Sequence, residues 1–352
     1  MTDYIIVGSG LAGIALAETA IERGKSVIVF DNNSQSSSRV AAGLFNPVIL
    51  KRFSKLMNAQ RQLDDLEAFY EILENRLKIK IYHRQPILRK FYSVEEQNDW
   101  FQACDKPGLA DFLSPILIQH EYPGIDAPHG YGEVLQTGYV DTATLMDRYQ
   151  KYLTDLHMYN NEKFNYSELD ICENVKYKDV TARHIIFAEG YGIHQNPYFN
   201  YLPLDGTKGE LFIIKAPNLR LDVIINSAIF ILPLGDNLFK VGATYHWTDK
   251  TNTPTQEGHA ELLSKIEEVI TCDFEILEHQ AGVRPTVKDR KPIIGTHPEF
   301  NHIHVFNGLG TRGVMLGPYM AKELFNHIEQ GAPLAPENDI KRFKKLYSGS
   351  TI

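Results

Sequence analysis

The chain has few cysteines and no pattern among them. Cys104, Cys172 and Cys272 are the only three in 352 residues, far apart and odd in number. No CxxC pair occurs, so neither a disulfide framework nor a zinc site is expected. Buried free thiols in a reducing compartment are the plain reading, and the expected location is the cytoplasm. Long apolar runs are also missing. The stretch 228–234 is broken by Pro233 and falls well short of the ~20 residues a membrane helix needs. The amino terminus enters directly into a strand pattern, so no signal peptide is expected. Positive charge is in deficit: 36 Lys and Arg stand against 44 Asp and Glu, a net charge of −8 spread along the chain. That balance gives no support for a nucleic-acid partner. Low-complexity segments and repeats are absent. What remains is 43% apolar and 23% charged, an ordinary globular composition in a chain long enough for two domains.

Tyr4-Ile5-Ile6-Val7 reads as a strand buried on both faces, the habit of parallel sheets. Gly8-Ser9-Gly10-Leu11-Ala12-Gly13 follows at once, and residues 14–23 have helical spacing of Ile14, Leu16, Ala17, Ala20 and Ile21. Val27-Ile28-Val29-Phe30 is a second buried strand, with Asp31 and Asn32 at its end. Each glycine has a task in a dinucleotide site. Gly8 permits the tight turn, Gly10 lets backbone approach a pyrophosphate, and Gly13 lets the helix pack on the strand. The helix start offers unpaired N–H groups to phosphate, and Asp31 suits a ribose hydroxyl at about the expected ~20-residue offset. The motif does not separate FAD from NAD.

A polar, serine-rich loop comes next, then Arg39-Val40-Ala41-Ala42-Gly43-Leu44-Phe45-Asn46-Pro47. Its small residues suit backbone lying close to a flat ligand. Near the other end stands Ala281-Gly282-Val283-Arg284-Pro285-Thr286-Val287-Lys288-Asp289-Arg290-Lys291-Pro292-Ile293-Ile294-Gly295. A strand around His304-Val305-Phe306, a glycine turn Asn307-Gly308-Leu309-Gly310-Thr311-Arg312-Gly313 and a helix opened by Pro318 follow. Strand, turn and helix again aim backbone N–H groups at a negative group.

These motifs resemble the D-amino-acid oxidase superfamily, in particular its glycine-oxidase and sarcosine-oxidase branches. The resemblance covers nearly the whole chain. It implies an α/β fold: a doubly wound, Rossmann-like FAD-binding domain with a parallel sheet, and a second α+β domain with a mixed, mainly antiparallel sheet over the flavin. The FAD domain is expected from residues 1–80, 136–200 and 281–352, and the substrate domain from 81–135 and 201–280. The implied cofactor contacts are Gly8 to Gly13, Asp31, Asn32, Arg39, Val40, Ala41, Ala42, Gly43, Leu44 and Gly190, with Gly310, Thr311, Arg312, Gly313, Val314 and Met315 at the flavin's N1–C2=O edge. No His or Cys occurs in the 39–47 loop, and no Cys near the C-terminal motif, so the FAD is expected to be non-covalent.

The resemblance further implies an amine or amino-acid substrate that loses a hydride to flavin N5. The resulting imine is hydrolysed, and oxygen or another acceptor reoxidises the flavin. Arg284 is the implied carboxylate anchor, and a planar guanidinium suits that task; the competing reading is an ion pair with Asp289. Residues 210–215, 223–225, 229–232 and 238–244 read as strands of the second sheet. Lys240, in Phe239-Lys240-Val241-Gly242, matches a lysine that promotes reaction with oxygen in sarcosine oxidases; the bland alternative is an exposed strand lysine. Tyr245, His246 and Trp247 either line the pocket or cap the sheet. Two departures stand out. The position of the glycine-oxidase tyrosine that binds carboxylate is Phe230, and the sarcosine-oxidase lysine falls at Met315. Two alternatives follow: an FAD oxidase that modifies tRNA wobble uridine, with Lys51, Arg52 and Lys55 as a small basic cluster, or a catalytically silent FAD-binding protein. His302 and His304 alternate on one strand without further ligands, so no metal is expected.

Overall fold

The computed structural model describes residues 1–347. Strand Thr2–Val7 has its last four residues buried. It lies parallel between Val27–Asp31 and Val180–Phe187. Tyr159–Asn161 extends this parallel sheet beyond Val27–Asp31, and Ile303–Asn307 extends it beyond Val180–Phe187. On the edge away from Thr2–Val7, the strand Val180–Phe187 divides its length between two partners. Ile185, Ile186 and Phe187 pair with the late strand, while Val180 and Ala182 pair antiparallel with Tyr177 and Val175. The strand sequences are apolar on both faces because helices and loops cover both.

Helix Leu11–Glu22 is buried from Gly13 to Ala20. It packs on the long helix Gly313–Gln330, and their first turns touch: a Cβ on Gly313 would lie 2.8 Å from Leu11 Cδ1. Two helix starts therefore sit side by side at the edge of the sheet. The long helix begins five residues before Pro318, not at it. Pro318 lacks an N–H, which frees the carbonyl of Val314 four residues back. The buried Tyr70 hydroxyl donates to that carbonyl at 3.3 Å, so the proline is tolerated inside the helix.

The second sheet runs Glu275–Arg284, Thr207–Lys215, Leu238–Gly242, Phe230–Gly235, Ile224–Asn226, Ile87–Lys90, Tyr131–Val134, Leu113–Ile118. It is antiparallel except where Ile224–Asn226 and Ile87–Lys90 run parallel. Helix Gln256–Glu267 covers its back through the fully buried Leu262 and Ile266. Strand Glu275–Arg284 belongs wholly to this sheet, so the expected division at residue 281 falls inside a strand. A small third sheet of Leu44–Phe45, Gly138–Val140 and Tyr82–Arg84 stitches the two halves together.

Candidate active site

A cleft of about 1500 Å³ lies between the two sheets. That exceeds the roughly 300–1,000 Å³ of ordinary small-molecule pockets and leaves room for a large cofactor and a second ligand. Its floor is the first turn. Gly8 has φ +103°, and a Cβ there would lie 2.5 Å from the Ala188 carbonyl oxygen, so only glycine fits. Asp31 lies beside it and accepts from the Ser9 amide at 2.6 Å, the Ser9 hydroxyl at 2.5 Å and the Asn33 amide at 2.8 Å. The second glycine turn faces the first. Asn307 joins the turns of two strands: its Nδ2 donates to the Gly190 carbonyl at 2.8 Å and its Oδ1 accepts from the Gly308 amide at 2.8 Å. Gly190 and Gly310 both have positive φ, with no atom within 4 Å of where a Cβ would stand. Bare backbone thus lines the cleft at both turns.

Of the sequence-predicted contacts, residues 8, 10–12, 31–32, 40–44, 190 and 310–314 line this cleft. Ser9, Gly13, Arg39 and Met315 are not on its wall. Both polar groups of Ser9 are turned onto Asp31. Gly13 is a packing position, since a Cβ would lie 1.9 Å from the Gly8 carbonyl oxygen. Arg39 leaves the short helical turn Ser37–Val40 outward and pairs with Asp147 at 2.6 Å, both exposed. Met315 is buried in the core on the inner side of its helix.

On the other wall, Arg284 reaches the cleft at the end of its strand. Its Nη1 donates to the Thr244 carbonyl at 3.3 Å, and its guanidinium carbon lies 4.6 Å from the centre of the Tyr245 ring. No carboxylate pairs with it among the described residues. Desolvation lowers its pKa. Asp289 is not its partner; that carboxylate holds Arg342, with Oδ2 2.9 Å from Nε. Phe230 lines the same wall without a hydroxyl. Tyr245 and Trp247 line the mouth, 57% and 48% exposed, whereas His246 turns away toward Glu261. Lys240 does not reach the cleft. Its Nζ donates to the Ala41 carbonyl at 3.2 Å, and burial lowers its pKa. It is therefore not an exposed strand lysine either.

Several cleft residues escaped the sequence reading. Glu189 stands at the wall between Tyr166, whose hydroxyl donates to it, and Asn196, which donates at 2.7 Å. Burial pushes its carboxyl up to about 7. Arg89 ties Glu96 at 2.7 Å to Asn226 and the Ser227 carbonyl, each at 3.1 Å. Tyr166 with Glu189, and Arg89 with Asn226 and Ser227, are distant meetings without a local signal. Gly209 stands just before the 210–215 strand pattern, and only the folded strand Thr207–Lys215 takes it into its interior, where a glycine marks close approach.

The family model described as "FAD dependent oxidoreductase" matches residues 3–326. The chain belongs to that family. This oxidoreductase is 20% identical to the glycine oxidase of Bacillus subtilis over 349 residues, with 90% of each chain covered. It is 24% identical to the tRNA 5-methylaminomethyl-2-thiouridine biosynthesis bifunctional protein of Marinobacter nauticus, covering 93% of this chain but 55% of that one. The chain thus spans about half the length of the bifunctional relatives it matches. Among solved structures, glycine oxidase from Bacillus cereus superposes with a TM-score of 0.78 at 18% identity, covering 95% of this chain and 98% of that chain. The residues present fit FAD. Two glycine turns bare their backbone, two adjacent helix starts offer unpaired N–H groups that suit negative groups of a dinucleotide, and Asp31 could accept from a ribose. Arg312, at the start of the long helix, adds a cation with no hydrogen-bond partner among the described residues. No helix among the described residues is long and apolar enough to cross a membrane.

Proposed function

We propose that this oxidoreductase oxidises the C–N bond of an amine that carries a carboxylate, an amino acid or an N-substituted one. The carrying observation is Arg284: a desolvated guanidinium on the cleft wall whose only hydrogen bond among the described residues goes to a neutral carbonyl. A buried cation without an acid partner is costly unless a ligand supplies one. Bound FAD supplies a two-electron acceptor. The chain's own residues bind and orient. Arg284 fixes the carboxylate, and with it the carbon–hydrogen bond next to the nitrogen, so alignment is settled before reaction. The substrate loses two electrons and two protons from its H–C–N–H unit, and water hydrolyses the C=N bond to a carbonyl and an amine. Phe230 and Leu211 give that wall an apolar surface. No side chain is assigned as a base. The glycine oxidase relatives support the small-substrate reading because the chain spans 90% of such a protein.

Anaerobic mixing with a panel of amines and amino acids tests the reading through loss of the oxidised flavin's visible absorbance. With the substrate so found, Arg284→Ala is expected to lower the efficiency of flavin reduction by roughly ten- to a hundredfold. Arg284→Lys should recover part of that, because a point charge lacks the planar fork. FAD content and thermal stability should hold. Undiminished reduction in Arg284→Ala would remove the case for a carboxylate-bearing substrate.

A further inference from the structure

The sheet wall of the cleft carries two glycines directly opposite each other. Gly209 and Gly282 are register partners on adjacent strands. Glycine weakens a strand interior, so each needs a reason. For Gly282 the reason is the chain's own backbone: a Cβ there would lie 2.9 Å from Ser37 Cα. For Gly209 it is a functional side chain. A Cβ there would lie 1.9 Å from Arg284 Nη2, 2.1 Å from Cζ and 2.2 Å from Nη1. The guanidinium occupies the space that any other residue at 209 would fill. Strand geometry permits this meeting, since Thr207 is the register partner of Arg284 and Gly209 is the next residue on the same face.

Two further contacts bound the group. The Thr244 carbonyl takes one N–H of Nη1, and the Tyr245 ring lies 4.6 Å from the guanidinium carbon. Tyr245 is 57% exposed at the mouth, so core packing does not account for its aromatic ring. An arginine side chain is long and rotamer-rich, and it binds a carboxylate well only when its fork is already in place.

We propose that Gly209 and Tyr245 are positioning residues for Arg284: a gap in the strand and an aromatic neighbour that hold its guanidinium in one place, leaving its remaining N–H groups to a carboxylate. This rests on the reading of Arg284 as the carboxylate anchor. Any larger residue at 209 displaces the group. An aliphatic residue at 245 keeps bulk at the mouth but loses the attraction between cation and ring face.

The test uses the FAD-loaded protein and acetate as the probe, with binding read from the visible spectrum of the flavin and methylammonium as the control ion. Gly209→Ala is expected to weaken acetate binding by roughly tenfold or more. Tyr245→Leu should weaken it by about three- to tenfold, and Tyr245→Phe should stay within about twofold of the wild type. In an Arg284→Lys background, adding Gly209→Ala should cost little more, because a slim ammonium does not need the gap. FAD content and melting temperature are followed throughout. If Gly209→Ala fails to load FAD, the two Tyr245 variants decide. Wild-type affinity in Gly209→Ala or in Tyr245→Leu, while Arg284→Lys binds weakly, overturns this inference and leaves the anchor reading standing. An equal effect of Gly209→Ala in both backgrounds also overturns it. Wild-type affinity in Arg284→Gln, or no acetate binding by the wild type, overturns the anchor reading and this one with it.

Discussion

A lysine ammonium drawn out of water needs an oxygen to hold it, and Lys240 finds the carbonyl of Ala41. That carbonyl belongs to the loop 40–44, which lines the cofactor cleft. Lys240→Met should therefore act on the cofactor. Weakening of FAD binding by about two- to tenfold is expected in a titration of the apoprotein followed by flavin fluorescence. Slower reoxidation by oxygen with unaltered FAD affinity would restore the oxygen role that the resemblance implies. Glu189 makes a prediction of another kind. Its carboxyl is pushed up to about 7, first by burial and then by the nearby Asp31, against the hydrogen bonds from Asn196 and Tyr166. Between the ordinary carboxylate range and about 7, the folded protein keeps a proton that the unfolded chain has lost. Stability from this group therefore falls as pH rises through that window and is level above it. His184 and His297, pushed down to about 4 by burial, act in the opposite sense as pH falls. The signal is thus a difference. Glu189→Gln should gain stability relative to the wild type from about pH 5 to pH 7, as read by denaturant midpoints of the two apoproteins. A pH-independent difference would show that Glu189 titrates normally. None of this was legible in sequence. The Lys240 motif was readable, and alternation puts it on the same face as cleft-lining Gly242, but only the folded chain lays Ala41 over it.

At the scale of elements, the turns were more legible than the side chains they carry. Gly8, Gly10, Gly13 and Asp31 are set by local geometry, so strand, turn and helix declare themselves within thirty or so residues. Arg39 shows where that ends. It belongs to the right loop, yet a single helical turn points successive side chains in different directions, and this one finds Asp147. Pro318 shows a second limit. Proline usually marks a helix start, but here a hydroxyl from helix Ala59–Leu77 accommodates it in the interior. That contact is testable. Tyr70→Phe leaves the Val314 carbonyl without its donor in a buried place, and a loss of about 1 kcal/mol is expected in urea unfolding. An unchanged midpoint would mean that the carbonyl has no need of Tyr70. Because Val314 lies in the first turn of the helix that faces the cleft, FAD affinity should be measured alongside.

For the molecule as a whole, the two sheets were readable, while the line between them was not. The motif around Arg284 looks like part of the cofactor half, but its strand hydrogen-bonds along its whole length to Thr207–Lys215. Hydrogen-bond partners, not motif membership, decide which sheet a strand joins. The net charge of −8 also acts at this scale. The bifunctional relatives are named for work on tRNA, and Lys51 lies at the cleft. Counterion release makes tRNA binding steeply salt-dependent. No salt-sensitive tRNA binding near physiological ionic strength is expected for this chain. Micromolar binding that weakens as salt is added would put tRNA ahead of small amino acids as the substrate.

The strand Val180–Phe187 has one parallel neighbour from the start of the chain and another from near its end. During synthesis on a ribosome, Thr2–Val7 emerges before Val180–Phe187 and must wait for it to have a partner on that side. On the other side Val175–Tyr177 covers Val180 to Ala182, but Ile185, Ile186 and Phe187 stay open until Ile303–Asn307 is made, and the second helix start, at Gly313, comes later still. Gly8 to Gly13 are thus made long before a complete place for a dinucleotide exists. Cofactor capture waits until Gly313 has been made, and a ribosome that stalls before Ile303 leaves a chain with its first glycine turn intact and no complete cleft to hold FAD.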